Sequence, residues 1–69
     1  MRVRLSDPSH AHALALALAR GDCVVTPAGL DTLTVVHPFA RDEDEARSEL
    51  VFFLRAWQAR HPEVSVQLV

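Results

Sequence analysis

Cysteine and histidine are the residue types most readily recruited for nucleophilic and metal chemistry, and this chain carries one Cys and four His among its 69 residues. Cys23 stands two residues before Val25, and His37 two residues after Val35. If Val25 pairs with Val35 in an antiparallel hairpin, Cys23 and His37 fall side by side on the inward face, one cross-strand pair further on. A thiol beside an imidazole can form a thiolate nucleophile, provided that it is partly exposed and that a third group orients the ring. The sequence identifies no third group, and free cysteine is among the most buried residue types. Cys23 and His37 are therefore the catalytic candidates, weighed against a packed core thiol as the stronger reading. No two Cys or His show zinc-ligand spacing, so neither a metal nor a cofactor is expected.

A second group of polar residues follows the first apolar stretch, in Ser6-Asp7-Pro8-Ser9-His10. Backbone N–H groups at a helix start can hold an anion, which makes Asp7, Ser9 and His10 the candidate ligand-binding residues. Asp7 competes with that use, because an Asp before Pro is a good helix cap and would take the same N–H groups itself. His10 and His12 are two apart and do not share a helix face. The acidic run Asp42-Glu43-Asp44-Glu45 suits the positive end of a helix, and Asp42 with Glu45 has capping-box spacing. It reads as a solvated helix start before it reads as a docking site for a basic partner.

The elements that position these residues follow from periodicity. Arg2 to Leu5 alternates polar and apolar and predicts a first strand. The stretch from Pro8 to about Arg20 alternates Ala with Leu, yet both are strong helix formers, so a helix is expected, with Gly21 as its C-terminal cap. Ala11, Leu14, Ala15 and Leu18 share its core stripe, and Leu16 points away. Cys23–Thr26 and Leu33–Val36 are β-branched runs around Pro27-Ala28-Gly29-Leu30-Asp31-Thr32, which has the punctuation of a hairpin. Ala46, Leu50, Phe53, Leu54 and Trp57 recur at helical spacing, and His61-Pro62 ends that helix. Val64 to Val69 alternates once more and predicts a fourth strand with Val64, Val66 and Leu68 facing in.

This order of elements resembles the ferredoxin-like fold over residues 1–69, read as a single domain of the α/β (α+β sandwich) class. The resemblance implies a four-stranded antiparallel sheet in the order 4-1-3-2 with both helices on one face. It gathers Asp7, Ser9, His10, Asp31, His61 and Glu63 at one end of the sheet. Cys23, His37 and the acidic helix start lie at the other end. Among families with similar element order, RNA-recognition motifs carry stacking aromatics on the central strands, where this chain has Arg2, Arg4, Thr34 and Val36. Heavy-metal-associated domains carry two cysteines in the first loop, which has none here. The Ser6-Asp7-Pro8-Ser9 segment is superficially similar to the Asp-X-Pro-Gly turn of ACT domains, and that similarity implies a small-ligand sensor. The Leu-Ser-Asp-Pro start and the Phe-Leu-Arg-Ala-Trp-Gln helix look like those of short uncharacterised proteins of GC-rich bacteria, a likeness that implies no activity.

Composition narrows the classes further. Seven basic residues against nine acidic ones give a formal charge of -2, with no basic cluster to meet a phosphate backbone, so nucleic acid is not an expected partner. The longest apolar run, Ala13 to Ala19, is far short of the ~20 residues that cross a bilayer, so no membrane partner is expected either. One cysteine and no charged-then-apolar leader point to a reducing cytoplasm. What remains is apolar surface: Phe52 and Ala56 lie off the core stripe of their helix, Leu16 off that of its own, and Val66 and Leu68 sit on an edge strand without charge or proline. These five residues are the interface candidates. The expected function is a non-enzymatic interaction or regulatory domain, a homo-oligomer or the partner of a larger protein.

Overall fold

The computed structural model describes residues 1–69. Its elements are β1 (Arg2–Leu5), α1 (Ala11–Arg20), β2 (Val24–Pro27), β3 (Thr32–Val36), α2 (Glu43–Arg60) and β4 (Val66–Leu68), with one 3-10 turn at Pro8–His10. The strands form one antiparallel sheet in the order β2-β3-β1-β4, which is the expected order read from the opposite edge. Val25 pairs with Val35 as the hydrophobic pattern requires, and Val3 lies between Leu33 and Leu68.

Strand alternation sorts the sheet into two faces. Val3, Leu5, Leu33 and Val35 turn inward, where they meet Leu14 and Leu18 of α1, Leu50, Leu54 and Trp57 of α2, and Val64. These ten residues form one core cluster. Because both helices contribute to it, both cover the same face, and Arg2, Arg4, Val24 and Val36 are left on the open one.

Several boundaries differ from the periodicity. The first helix does not begin directly at Pro8. The Asp7 carboxylate accepts the Ser9 N–H at 3.0 Å and the Asp7 carbonyl accepts the His10 N–H at 3.1 Å, which tightens the first turn to 3-10 before α1 starts at Ala11. β4 covers three residues instead of six, since Val64 is buried ahead of the strand and its N–H bonds to the His61 carbonyl. Phe53 is only half-buried, packing against the core from its margin.

The end of α1 departs more instructively. Gly21 has φ -89, and the residue with positive φ is Asp22, at φ 66. The Cys23 N–H donates to the Leu18 carbonyl and the Asp22 N–H to the Ala19 carbonyl, the paired bonds of a Schellman ending. Asp22 thus occupies the left-handed position that glycine favours, and Gly21 stands one residue too early for it. At the start of α2, Asp42 accepts the Glu45 N–H at 2.8 Å as its capping-box spacing requires. The return bond shifts outward by one residue: Glu45 accepts from the Arg41 backbone and, at 2.6 Å, from its guanidinium.

Candidate functional site

At the end of the sheet where α1 begins, Asp7, Ser9 and His10 do come together, and they engage one another. Asp7 Oδ1 accepts from both the amide and the hydroxyl of Ser9, at 3.0 and 2.8 Å. His10 Nδ1 lies 3.3 Å from Asp7 Oδ2, and its Nε2 lies 3.1 Å from Glu63 Oε1. Hydrogen bonds hold both carboxyls below the usual carboxylate range: the Ser9 amide chiefly for Asp7, the residue's own backbone N–H chiefly for Glu63. His10 also meets Trp57 and His61 edge-on, and His61 stacks on Trp57 with ring centroids 4.0 Å apart. His61 Nδ1 lies 2.9 Å from the Trp57 carbonyl, in the last turn of α2. Asp31 belongs to a separate contact, accepting the Thr32 hydroxyl.

At the opposite end Cys23 and His37 line one cavity of about 80 Å³ with Glu49, a space for no more than a few water molecules. Glu49 supplies a partner for the imidazole that sequence reasoning missed: its Oε2 lies 2.9 Å from His37 Nε2. Cys23 does not complete a relay. The acceptor near its thiol is the Gly21 carbonyl, at 3.9 Å, while His37 Nδ1 is buried without a partner. Burial pushes the Cys23 thiol pKa up, with the nearby Asp22 and Glu49 carboxylates adding to it. These influences oppose the thiolate that a nucleophile requires.

The edge of the sheet is guarded. Ser6 N–H donates to the Ser65 carbonyl and Val69 N–H to that of Arg2, so the alternate residues Val66 and Leu68 present their backbone groups outward. Gln58 of α2 reaches this edge. Its Oε1 accepts the Val66 N–H at 2.9 Å, and its Nε2 donates to the carbonyls of Val64 and His61. One side-chain amide thereby fills positions that a residue of a fifth strand would take. The Val66 and Leu68 side chains are partly buried against the core and line an apolar groove with Val51, Leu54 and Ala59 of α2.

The outer face of α2 is different. Phe52 is 78% exposed, projecting from the middle of an 18-residue helix. Ser48 and Ala56, four residues to either side, are small and exposed, and the groove beside the ring is completed by Glu49 and Phe53. Leu30 and Phe39 are also exposed, but each belongs to a loop. Leu16 is 48% exposed on α1, as its position off the core stripe implied.

No protein-family model, curated protein or solved structure matches this chain. The helix face around Phe52 is the candidate site: a large apolar group exposed on a helix, with small residues one turn to either side.

Proposed function

We propose that this chain is a small non-enzymatic interaction domain of ferredoxin-like architecture, working in the cytoplasm by associating through the outer face of α2. The exposure of Phe52 carries this reading. A buried Phe contributes about 1.5–3 kcal/mol relative to an exposed one, a contribution that this fold leaves unused. The helix already holds its backbone and its neighbours in place, so an incoming surface orders little besides the ring itself. No helix is long and apolar enough to cross a membrane.

Sedimentation velocity on the full chain, from low to high micromolar concentration, tests the proposal. Mass rising with concentration is expected, and Phe52→Ser is expected to hold the protein at the monomer mass with an unchanged circular dichroism spectrum. A wild-type chain that stays monomeric throughout that range would overturn it.

A further inference from the structure

Independently of the α2 face, we infer that the open face of the sheet is a second binding surface, one that takes an extended acidic peptide laid along β1 with its carboxylates at alternate residues. The strand register builds this surface. Arg2 stands beside Thr34, which pairs in turn with Thr26, and Arg4 stands between Thr32 and Gln67. Cross-strand partners project to one side of a sheet, so the two guanidinium groups lie among threonine hydroxyls and the Gln67 amide. Charge on this face has one sign. The carboxylates of Asp7, Asp22, Asp31 and Glu63 belong to connections, and the others stand at the start of α2 or along it. Asp31, at the rim, accepts the Thr32 hydroxyl at 2.9 Å.

Charge and spacing select the occupant. Arg2 and Arg4 are both exposed, and neither makes an ion pair or a side-chain hydrogen bond within the chain. A chain of net charge -2 thus turns an unpaired cationic surface to solvent. Residues two apart on a strand are ~6.6 Å apart, and alternate side chains of any other extended chain repeat at the same distance. A peptide with acidic residues at every second position, lying along β1, meets Arg2 and Arg4 together, and each guanidinium offers a carboxylate the paired N–H groups of its fork. Thr34 and Gln67, on the strands to either side, supply polar groups for the peptide backbone. Single-stranded nucleic acid is the other extended polyanion, but this face has no aromatic ring for a base to stack on. Phe39 lies in the loop before α2, and Phe52, Phe53 and Trp57 lie on α2 itself.

Fluorescence anisotropy at low ionic strength tests this assignment, with a labelled hexapeptide alternating Asp and Thr as the probe. Binding is expected, and it is expected to weaken when salt is raised to about 0.15 M. Arg2→Gln and Arg4→Gln are each expected to weaken it about fivefold, the upper range for an exposed ion pair, and the double variant further. Both side chains lie outside the core, so the variants are expected to keep the wild-type circular dichroism spectrum. Arg47→Gln, which removes an exposed charge from α2, is expected to bind as the wild type does. A hexapeptide of the same composition with its Asp residues in one block is expected to bind more weakly. A wild-type chain that does not bind the alternating peptide overturns the proposal, and so does binding that Arg2→Gln and Arg4→Gln leave unchanged. Equal affinity for the two peptides overturns the alternating match to β1. A hexathymidylate bound in preference to the alternating peptide overturns the peptide assignment in favour of nucleic acid.

Discussion

At Asp22 the backbone adopts a left-handed conformation that costs an L-residue roughly 1–2 kcal/mol, while the preceding glycine has no need of its freedom. Asp22 also sets a negative charge beside the negative end of α1. Asp22→Gly is expected to stabilise the fold by about 1 kcal/mol and to raise Tm by roughly 4–8 °C in a thermal melt. A lower Tm would show that the Asp side chain makes a compensating contribution. Asp7 illustrates the opposite relation between residue and backbone, because its charge is used by the fold. Its carboxyl is held below the ordinary carboxylate value mainly by the Ser9 amide, so the folded state binds that proton less readily than the unfolded chain does. The resulting stabilisation is present above the unfolded pKa and is lost as pH falls through the folded one. Asp7→Asn keeps a capping side chain but removes the titration. Denaturant midpoints of the variant are expected to be lower at neutral pH and to depend less steeply on pH from about pH 4 downward. An unchanged acid profile would place that dependence in other groups. The residue scale is also where sequence reading was thinnest. Cys23 and His37 lie just beyond the last hairpin pair, Val24 with Val36, and line one cavity, but Glu49 lies on another element and no local spacing connects it to His37.

Among the elements, β4 shows how a short strand is kept from being a liability. An edge strand free of charge and proline invites pairing with another chain. Gln58 occupies part of that edge from the neighbouring helix, serving as donor to Val64 and acceptor for Val66. Gln58→Ala would leave those groups partly buried without partners, at a cost of about 1–3 kcal/mol. Hydrogen exchange of the Val66 amide is expected to accelerate in this variant while the β1 and β3 amides move only with global stability. Unchanged protection at Val66 would rule out the guard. The large residues of the helix stripes, by contrast, were legible from their spacing: Leu14 and Leu18 in α1, and Leu50, Leu54 and Trp57 in α2, are all buried, while Ala11 and Ala15 are partly so. Phe53 fell short because it sits at the margin of the stripe, where its ring only partly covers the core.

For the whole molecule, size governs the response to damage. A chain of 69 residues has one modest core, and stabilities of roughly 3–10 kcal/mol follow from the per-residue average for natural domains. Leu18 is fully buried between α1 and the sheet, so Leu18→Ala should cost about 2–5 kcal/mol, a large share of that stability, and lower the urea midpoint accordingly. Circular dichroism with urea titration would show it, and a fully folded variant of wild-type midpoint would mean that the core can collapse around the gap. By itself the sequence determined the six elements, the hairpin register, the large inward residues of β1, β3 and both helices, and the projection of Leu16 and Phe52 away from the core. These depend on propensity and on periods of 2 and 3.6 residues, which act along the chain. Only the tertiary structure decided that Glu49 meets His37, that Gln58 covers the edge of β4, that His10 lies between Asp7 and Glu63, and that Asp22 rather than Gly21 adopts the left-handed turn. The first three join residues on different elements whose separation depends on how the helices settle on the sheet. The last depends on where packing against the core stops α1, a boundary that local preference does not specify to a single residue.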